Sequence, residues 1–284
     1  MKLIKPSYEI LPQPSGLDGV YKQIEIAGRT CYKSESKGDD PKKFVDRMAK
    51  SYHGSMLEHG TVYLKAFLND LNRANFMMLH NRYFNDKHSK ACKFVVNQDG
   101  SEMLIVTTNL RVIHENNWLS DLKYLCEPTK KHMKRYTVRF VTDRATANQF
   151  VRHRAFSFAQ ESQRYVNYSK GKFGEEVKFI LPCWMDERLL IWDNDFDDLN
   201  AFELQFISSM IKSEESYFIL LDKGWKPEQA RVVLPNATAT ELVMTGFESD
   251  WEHFFNLRAK GTTGRPHPQA MELAVPLMEE MIKK

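Results

Sequence analysis

The sequence is poor in the features that define several large classes of protein. Its four cysteines are far apart, and none forms the C-x-x-C pair that binds zinc or carries out thiol exchange. No run approaches the roughly 18 apolar residues of a membrane span, and the first residues lack the apolar core of a secretion signal. Neither a fixed-period repeat nor a low-complexity tract occurs. These absences predict a cytoplasmic protein with reduced thiols that does not span a membrane.

Neither sign of charge predominates, since the chain has 40 Lys and Arg residues and 37 Asp and Glu residues and its formal net charge is only +3. Binding to a polyanion such as duplex DNA usually requires a broad basic surface. We therefore expect no nucleic-acid partner, and any site for an anion must be local. An RNA- or DNA-binding module built on a basic cluster stays a weaker alternative, because no known nucleic-acid signature appears.

Helical and strand-like segments are present without regular βαβ alternation. This order predicts an α+β fold, with a mixed or antiparallel central sheet packed by helices. Helical spacing or capping signals predict helices over residues 16–29, 41–54, 71–81, 145–154, 200–221, 227–234, 251–257 and 268–281. β-branched or alternating patterns predict strands over residues 61–67, 103–114 and 136–141. The polar, histidine-rich segment 53–59 is predicted to be a loop.

Polar donors are densest in the segment RHRAFSFAQESQRY, residues 152–165. A guanidinium group matches a phosphate with two parallel hydrogen bonds, and serine hydroxyls with backbone N–H groups can complete the cradle. The alternative is a solvated basic helix end, because cations are favourable near a helix C-terminus. Composition alone leaves both interpretations open.

Two further arginines lie beside apolar runs, Arg231 in QARVVLP and Arg258 in HFFNLRAK. An arginine at the edge of a buried helix usually has an anionic partner, either a structural carboxylate or a bound anion. Ser162 has no G-x-S-x-G elbow and no evident base, so we interpret it as a binding hydroxyl and not as a nucleophile.

A metal site could be sought among His53, His59, His153 and Glu58. Their spacing lacks the i,i+4 geometry of zinc helices, so no metal is predicted. His59 is better explained as a structural histidine whose ring nitrogens are bonded to backbone groups.

The same segment resembles the RHR-x7-S signature, extended to Arg-Tyr, of the flavin-dependent thymidylate synthase family. Arg-His-Arg, a serine eight positions later and Arg164-Tyr165 are all present. HGSMLEH, EQARVVLP and HFFNLR resemble three other family segments in the same order. The resemblance covers most of the chain apart from residues 70–130, which resemble the enlarged insertion of longer, possibly phage-like members. It implies one domain over residues 1–284.

The resemblance implies reductive methylation of dUMP to dTMP. Methylenetetrahydrofolate would donate the carbon and FAD, reduced by NADPH, would donate the hydride. It also implies a homotetramer with active sites at subunit interfaces. A catalytically altered relative that keeps only the nucleotide pocket is the alternative, because Phe247 and Ser249 stand where short members carry Asn and Arg.

Site residues follow from the same resemblance, position by position. The implied dUMP-binding residues are Gln149, Arg152, Gln160, Glu161, Ser162, Gln163, Arg164, Arg231 and Arg258. The implied FAD-binding residues are His53, Ser55, Glu58, Arg152, His153, Arg154, Gln160 and His253. Arg258 is the implied catalytic residue, since a fixed cation beside the pyrimidine would make C5 more nucleophilic.

Overall fold

A computed structural model describes residues 1–35, 38, 40–96, 101–170, 175–193 and 195–283. The helices are α1 (Gly16–Tyr32), α2 (Pro41–Lys50), α3 (Gly54–Leu57), α4 (Arg73–Phe84), α5 (Leu110–Glu115), α6 (Arg144–Phe150), α7 (Ala201–Asp222), α8 (Pro227–Ala230), α9 (Glu248–Arg258) and α10 (Pro268–Ile282). The strands are β1 (Lys2–Ile4), β2 (Ser7–Ile10), β3 (Thr61–Phe67), β4 (Lys90–Val95), β5 (Glu102–Asn109), β6 (Arg135–Asp143), β7 (Ser157–Gln160), β8 (Lys178–Ile180) and β9 (Ala239–Phe247).

A four-stranded antiparallel sheet in the order β2-β6-β9-β7 forms the centre of the fold. Its longest pair joins β6 to β9 over nine residues each, from Arg135 opposite Phe247 to Asp143 opposite Ala239. Alternate side chains such as Val138 and Phe140 are fully buried, and they pack against α6, α9 and α10. The sheet therefore fixes where α6 and α9 end, which is where several predicted site residues lie.

A second antiparallel sheet, in the order β3-β5-β4, takes two of its three strands from the predicted insertion, residues 70–130. It packs with α1 to α5 in a separate hydrophobic cluster, which Ala159 of β7 and Val243 of β9 also join. A third cluster surrounds α7 and the short parallel pair β1-β8.

The predicted α+β class with an antiparallel sheet is confirmed, and so are most of the predicted helices. Aspartates and asparagines cap several of them, as when Asp40 accepts a hydrogen bond from the backbone of Lys42 at 2.9 Å. Among the described residues, no helix combines the length and the apolar composition needed to cross a bilayer.

Three local predictions are wrong. The strand predicted over 103–114 ends at Asn109, because the Asn109 side chain accepts the backbone N–H of Val112 at 3.1 Å and starts α5. The helix predicted over 145–154 ends at Phe150, so the Arg-His-Arg residues leave it in a turn. The loop predicted over 53–59 contains α3, which forms because Met56 and Leu57 are buried on one side of a helical turn.

Candidate functional site

Arg258 ends α9 and is held by three hydrogen bonds. Its Nε donates to Nε2 of His153 at 3.0 Å, and its two terminal nitrogens donate to the side-chain and backbone oxygens of Gln149 at 3.2 and 3.0 Å. Gln149 belongs to α6, so this guanidinium joins the ends of two helices that the sheet supports. A cation held by neutral acceptors keeps its full charge for a ligand.

His153 is buried and uncharged at neutral pH. Burial, followed by the charges of Arg258 and His253, lowers the pKa of His153 to about 4. Since Nε2 accepts the hydrogen bond from Arg258, the ring proton lies on Nδ1. His153 therefore orients Arg258 and does not compete with it for an anion.

Aromatic packing fixes this pair in place. The ring of Phe254 lies 5.0 Å from His153 and 5.1 Å from Phe150, in edge-to-face contacts. Trp251 and Phe254 are fully buried beneath the sheet. Such contacts restrict the movement of α9 relative to α6.

Arg152, Arg154 and His253 are exposed. Arg152 acts on the charge of Arg258, and the His253 ring lies 6.1 Å from that of His153. Burial and then the like charge of Arg152 lower the pKa of Arg258 below its ordinary value. Within the described residues neither Arg152 nor Arg154 forms an ion pair with a carboxylate. We call Gln149, Arg152, His153, Arg154, His253 and Arg258 the Arg258 group.

The loop after β7 holds a second set of predicted residues. The backbone N–H of Glu161 donates to the carbonyl of Glu241 at 2.8 Å, and that of Ser162 donates to the carbonyl of Cys31 at 3.0 Å. The Ser162 hydroxyl accepts the N–H of Arg164 at 3.3 Å. The loop is therefore tied to β9 on one side and to the end of α1 on the other.

Three arginines lie near this loop, and one of them, Arg144, was missed by the sequence analysis. Its guanidinium and the amide of Gln160 both donate to the hydroxyl of Thr240, at 3.5 and 3.4 Å. The pKa of Arg144 is lowered, first by burial and also by the like charge of Arg231. Arg164 is exposed and approaches Glu228 of α8 at 3.6 Å.

A sequence signal for Arg144 does exist. It is the first residue of α6, directly after the capping residue Asp143. A cation at a helix N-terminus opposes the helix dipole, so it suggests an anion to be bound. We call Arg144, Gln160, Glu161, Ser162, Gln163, Arg164 and Arg231 the Arg231 group.

The third set surrounds α3. His53 and Ser55 are exposed, and a hydrogen bond of 3.2 Å joins the His53 ring to the hydroxyl of Tyr32. Tyr32 in turn lies 5.2 Å from the ring of Tyr165, next to the Arg231 group. The Glu58 carboxylate pairs with Arg111.

His59 is fully buried, and its Nδ1 is hydrogen-bonded to the Thr245 hydroxyl at 2.8 Å. Its burial fits the structural role predicted for it, but the partner of Nδ1 is a side-chain hydroxyl and not the predicted backbone group. Over the part of the chain that the structure describes, no three histidine, cysteine or acidic residues cluster as metal ligands would.

Phe247 and Ser249, the two departures from the short members, differ in setting. The Phe247 ring is buried with Lys90 of β4 at 5.6 Å and Arg135 at 5.4 Å, whereas Ser249 is exposed. The predicted insertion thus supplies one of the cations that contact Phe247.

The Arg258 and Arg231 groups lie at opposite ends of the same elements. Arg144 begins α6 and Gln149 lies near its end, about 8 Å along the helix. After the turn that holds His153, β7 runs back over roughly 13 Å of strand, so that Gln160 meets Arg144 at Thr240. Within the described residues no hydrogen bond or ion pair joins the two groups. One chain presents two separate sets of anion-binding side chains.

These features define an α+β protein whose central sheet carries clustered arginines at two places. The family model described as thymidylate synthase complementing protein matches residues 126–284, and the chain belongs to that family. The predicted resemblance is therefore confirmed. The match begins after most of the predicted insertion, and the assignments of one domain, of an insertion and of individual site residues stay predictions.

Several curated relatives carry the name flavin-dependent thymidylate synthase. The chain is 35% identical to that of Corynebacterium aurimucosum over 136 residues, which are 46% of this chain and 51% of the relative. It is 34% identical to that of Geobacter sulfurreducens over 115 residues, 40% and 43% of the two chains. A probable member from Paramecium bursaria Chlorella virus 1 is 30% identical over 156 residues, 52% and 66% of the two chains. The chain thus spans about half the length of the first two and two thirds of the third.

Among solved structures, the chain is similar to a UMP/dUMP methylase from Streptomyces cacaoi bound with 5-Br dUMP. The TM-score is 0.45 and the identity 17%, and the superposition covers 100% of this chain and 93% of the other. A likeness at this level carries no argument about substrate.

The buried His59 predicts a specific loss of stability in acid. Burial, followed by the charge of Arg135, lowers its pKa to about 3 in the folded protein, whereas the unfolded chain binds this proton near pH 6.5. The neutral His59 ring therefore makes its full contribution to the free energy of unfolding above pH 6.5. As the pH falls towards 3 this free energy decreases, by about 2 kcal/mol at pH 5. Urea unfolding at pH 7 and pH 5 should show a smaller pH-dependent loss for His59→Gln than for the wild type. The exposed His88→Gln is the control, and equal losses in His59→Gln and the wild type would contradict the prediction.

Proposed function

We propose that the protein converts dUMP to dTMP by reductive methylation. Methylenetetrahydrofolate is the carbon donor, and FAD reduced by NADPH is the hydride donor. The observation that carries the proposal is Arg258, a cation fixed by His153 and Gln149 beside exposed arginines. Membership of a family whose curated relatives are named flavin-dependent thymidylate synthases supports it.

In this proposal Arg258 contacts the uracil ring. Its position is set by neutral acceptors, so it can stabilise negative charge that develops on the N3 and O2 side of the ring. Electron density then rises at C5, the carbon that is methylated. No enzyme nucleophile is required, which agrees with a Ser162 hydroxyl that serves a backbone turn.

The Arg231 group is the proposed phosphate site. Arg144, Arg164 and Arg231 bring three guanidinium groups to one loop. Guanidinium groups bind phosphate through paired, charge-assisted hydrogen bonds. The like charges of Arg144 and Arg231 oppose each other in the free protein, and a bound dianion would relieve that repulsion.

The side chains of the Arg258 group and of the set around α3 have the chemistry to bind a flavin dinucleotide. Arg152 and Arg154 offer exposed guanidinium groups to a pyrophosphate, and His53, Ser55 and His253 are exposed and can contact a planar ring. Glu58 is held by Arg111, and Gln160 lies at the end of β7. The bound flavin supplies the hydride that completes the methyl group.

The two groups would form one site only when subunits associate. A uracil held by the Arg258 group and a phosphate held by the Arg231 group are parts of one small molecule, and within the described part of a single chain no hydrogen bond or ion pair joins the two groups. We therefore propose a homotetramer in which each site takes the Arg258 group from one subunit and the Arg231 group from another.

The test is formation of dTMP by the purified protein. We expect product only when dUMP, methylenetetrahydrofolate, NADPH and FAD are all supplied. After incubation with FAD the protein should also show a flavin absorbance band at about 450 nm. Nucleotide binding without any dTMP would favour the catalytically altered relative. Absence of both flavin and nucleotide binding would contradict the proposal.

A further inference from the structure

Lys33 follows α1 in a backbone conformation that is unusual for a lysine. Its φ of 43° and ψ of 48° lie in the left-handed region, where glycine is the common residue at a helix C-terminus. The N–H groups of Lys33 and Ser34 still bond to the last carbonyls of the helix, as they would with glycine. A lysine in this strained conformation must therefore be stabilised by contacts of its side chain.

The ammonium group of Lys33 lies between two carboxylates. It is 3.0 Å from Glu161 Oε2 and 3.4 Å from Glu241 Oε1. Glu161 is only 2% exposed, and its other oxygen accepts a hydrogen bond from the Tyr168 hydroxyl at 3.0 Å. Burial by itself would lower the pKa of Lys33, but the two carboxylates outweigh it and raise the pKa above its ordinary value.

Glu161 lies inside the Arg231 group, between Gln160 and Ser162 in the chain. Its charge also acts on Arg144, where it offsets part of the lowering of the pKa by burial. A phosphate that entered this group would meet a buried negative charge at short range, in surroundings where water screens little. Lys33 offsets that charge, and Cys31, two residues earlier, holds the Ser162 backbone.

We propose that Lys33 is a positioning residue for the nucleotide phosphate. It touches no substrate. By neutralising Glu161 and fixing it against α1, it holds the loop from Gln160 to Arg164 in place and removes the repulsion that a phosphate dianion would meet there. The inference rests on the proposed function and adds a residue that none of the family's motifs contains.

The experiment compares dUMP with deoxyuridine, which lacks the phosphate, by calorimetric binding to the full-length protein. Lys33→Met should weaken dUMP binding at least about tenfold, because Glu161 is left buried and charged, and should change deoxyuridine binding little. In dTMP formation the KM for dUMP should rise while kcat stays near that of the wild type. Lys33→Arg keeps the charge and should restore most of the affinity, and the exposed Lys43→Met is the matched control.

A double variant guards against misfolding. Lys33→Met with Glu161→Gln removes both charges, so it should fold and should bind dUMP more tightly than Lys33→Met alone. Equal losses for dUMP and deoxyuridine, or unchanged dUMP binding in Lys33→Met, would overturn the inference while leaving the proposed function intact. A wild type that binds no dUMP would instead contradict the proposed function, and the inference would fall with it.

Discussion

Arg258→Ala is expected to lower kcat for dTMP formation by about 10² to 10³ fold. The loss follows from geometry, since Arg258 is held by His153 Nε2 and by two oxygens of Gln149 and has no acidic partner within the described residues that would neutralise it. The alanine variant lacks the charge, but water can still donate hydrogen bonds to the neutral acceptors on His153 and Gln149. Rapid-quench measurement of dTMP formation at saturating dUMP separates this loss from weaker binding.

Two variants sharpen the test. Arg258→Lys keeps the charge but cannot reach both His153 and Gln149, so an intermediate rate is expected. Arg265→Ala removes an exposed arginine from the loop after α9 and should leave the rate unchanged. Full activity in Arg258→Ala would show that Arg258 is not catalytic, whatever the family.

Sequence alone predicted the elements that have strong local signals. α2 begins with a capping Asp40 followed by proline, and much of β6 alternates buried and partly buried residues, so both were found. It failed where a single side chain redirects the backbone. Asn109 ends β5 by capping α5, and nothing in the local apolar pattern distinguishes that from a continuing strand.

Pairings across the fold could not be predicted. His153 and Arg258 are 105 residues apart, and Lys33 and Glu161 are 128 apart. Hydrophobic periodicity places each residue on a face of its own helix, but only the register of β6, β7 and β9 brings the helix ends together. Residue types that match a motif could be recognised, whereas the neutral state of His153 depends on burial and on neighbours supplied by α9.

The separation of the two arginine groups lowers the repulsion between like charges in a single chain. Gathering the guanidinium groups of both in one folded chain would place several like charges in a small, partly buried volume, at an electrostatic cost that Glu161 and Glu228 offset only in the Arg231 group. Dividing them between the ends of α6 and β7 lets a monomer fold with each group partly solvated. Association and an anionic ligand would then bring the charges together and neutralise them.

Mixing two inactive variants should therefore restore activity. Arg258→Ala damages one group and Arg231→Ala damages the other, so each alone leaves every site defective. When the two chains are coexpressed in equal amounts and assemble at random, about a quarter of the sites combine an intact Arg258 from one chain with an intact Arg231 from another. We expect about a quarter of the wild-type rate of dTMP formation, far above that of either variant.

The matched control coexpresses Arg258→Ala with the double variant Arg231→Ala/Arg258→Ala. No chain in that mixture carries an intact Arg258, so activity should stay at the level of the single variant. Recovery only in the first mixture would place the two groups of one site on different subunits. No recovery in either mixture, with assembly verified by tagged co-purification, would place the whole site within one chain, and the interface between subunits would then serve stability alone.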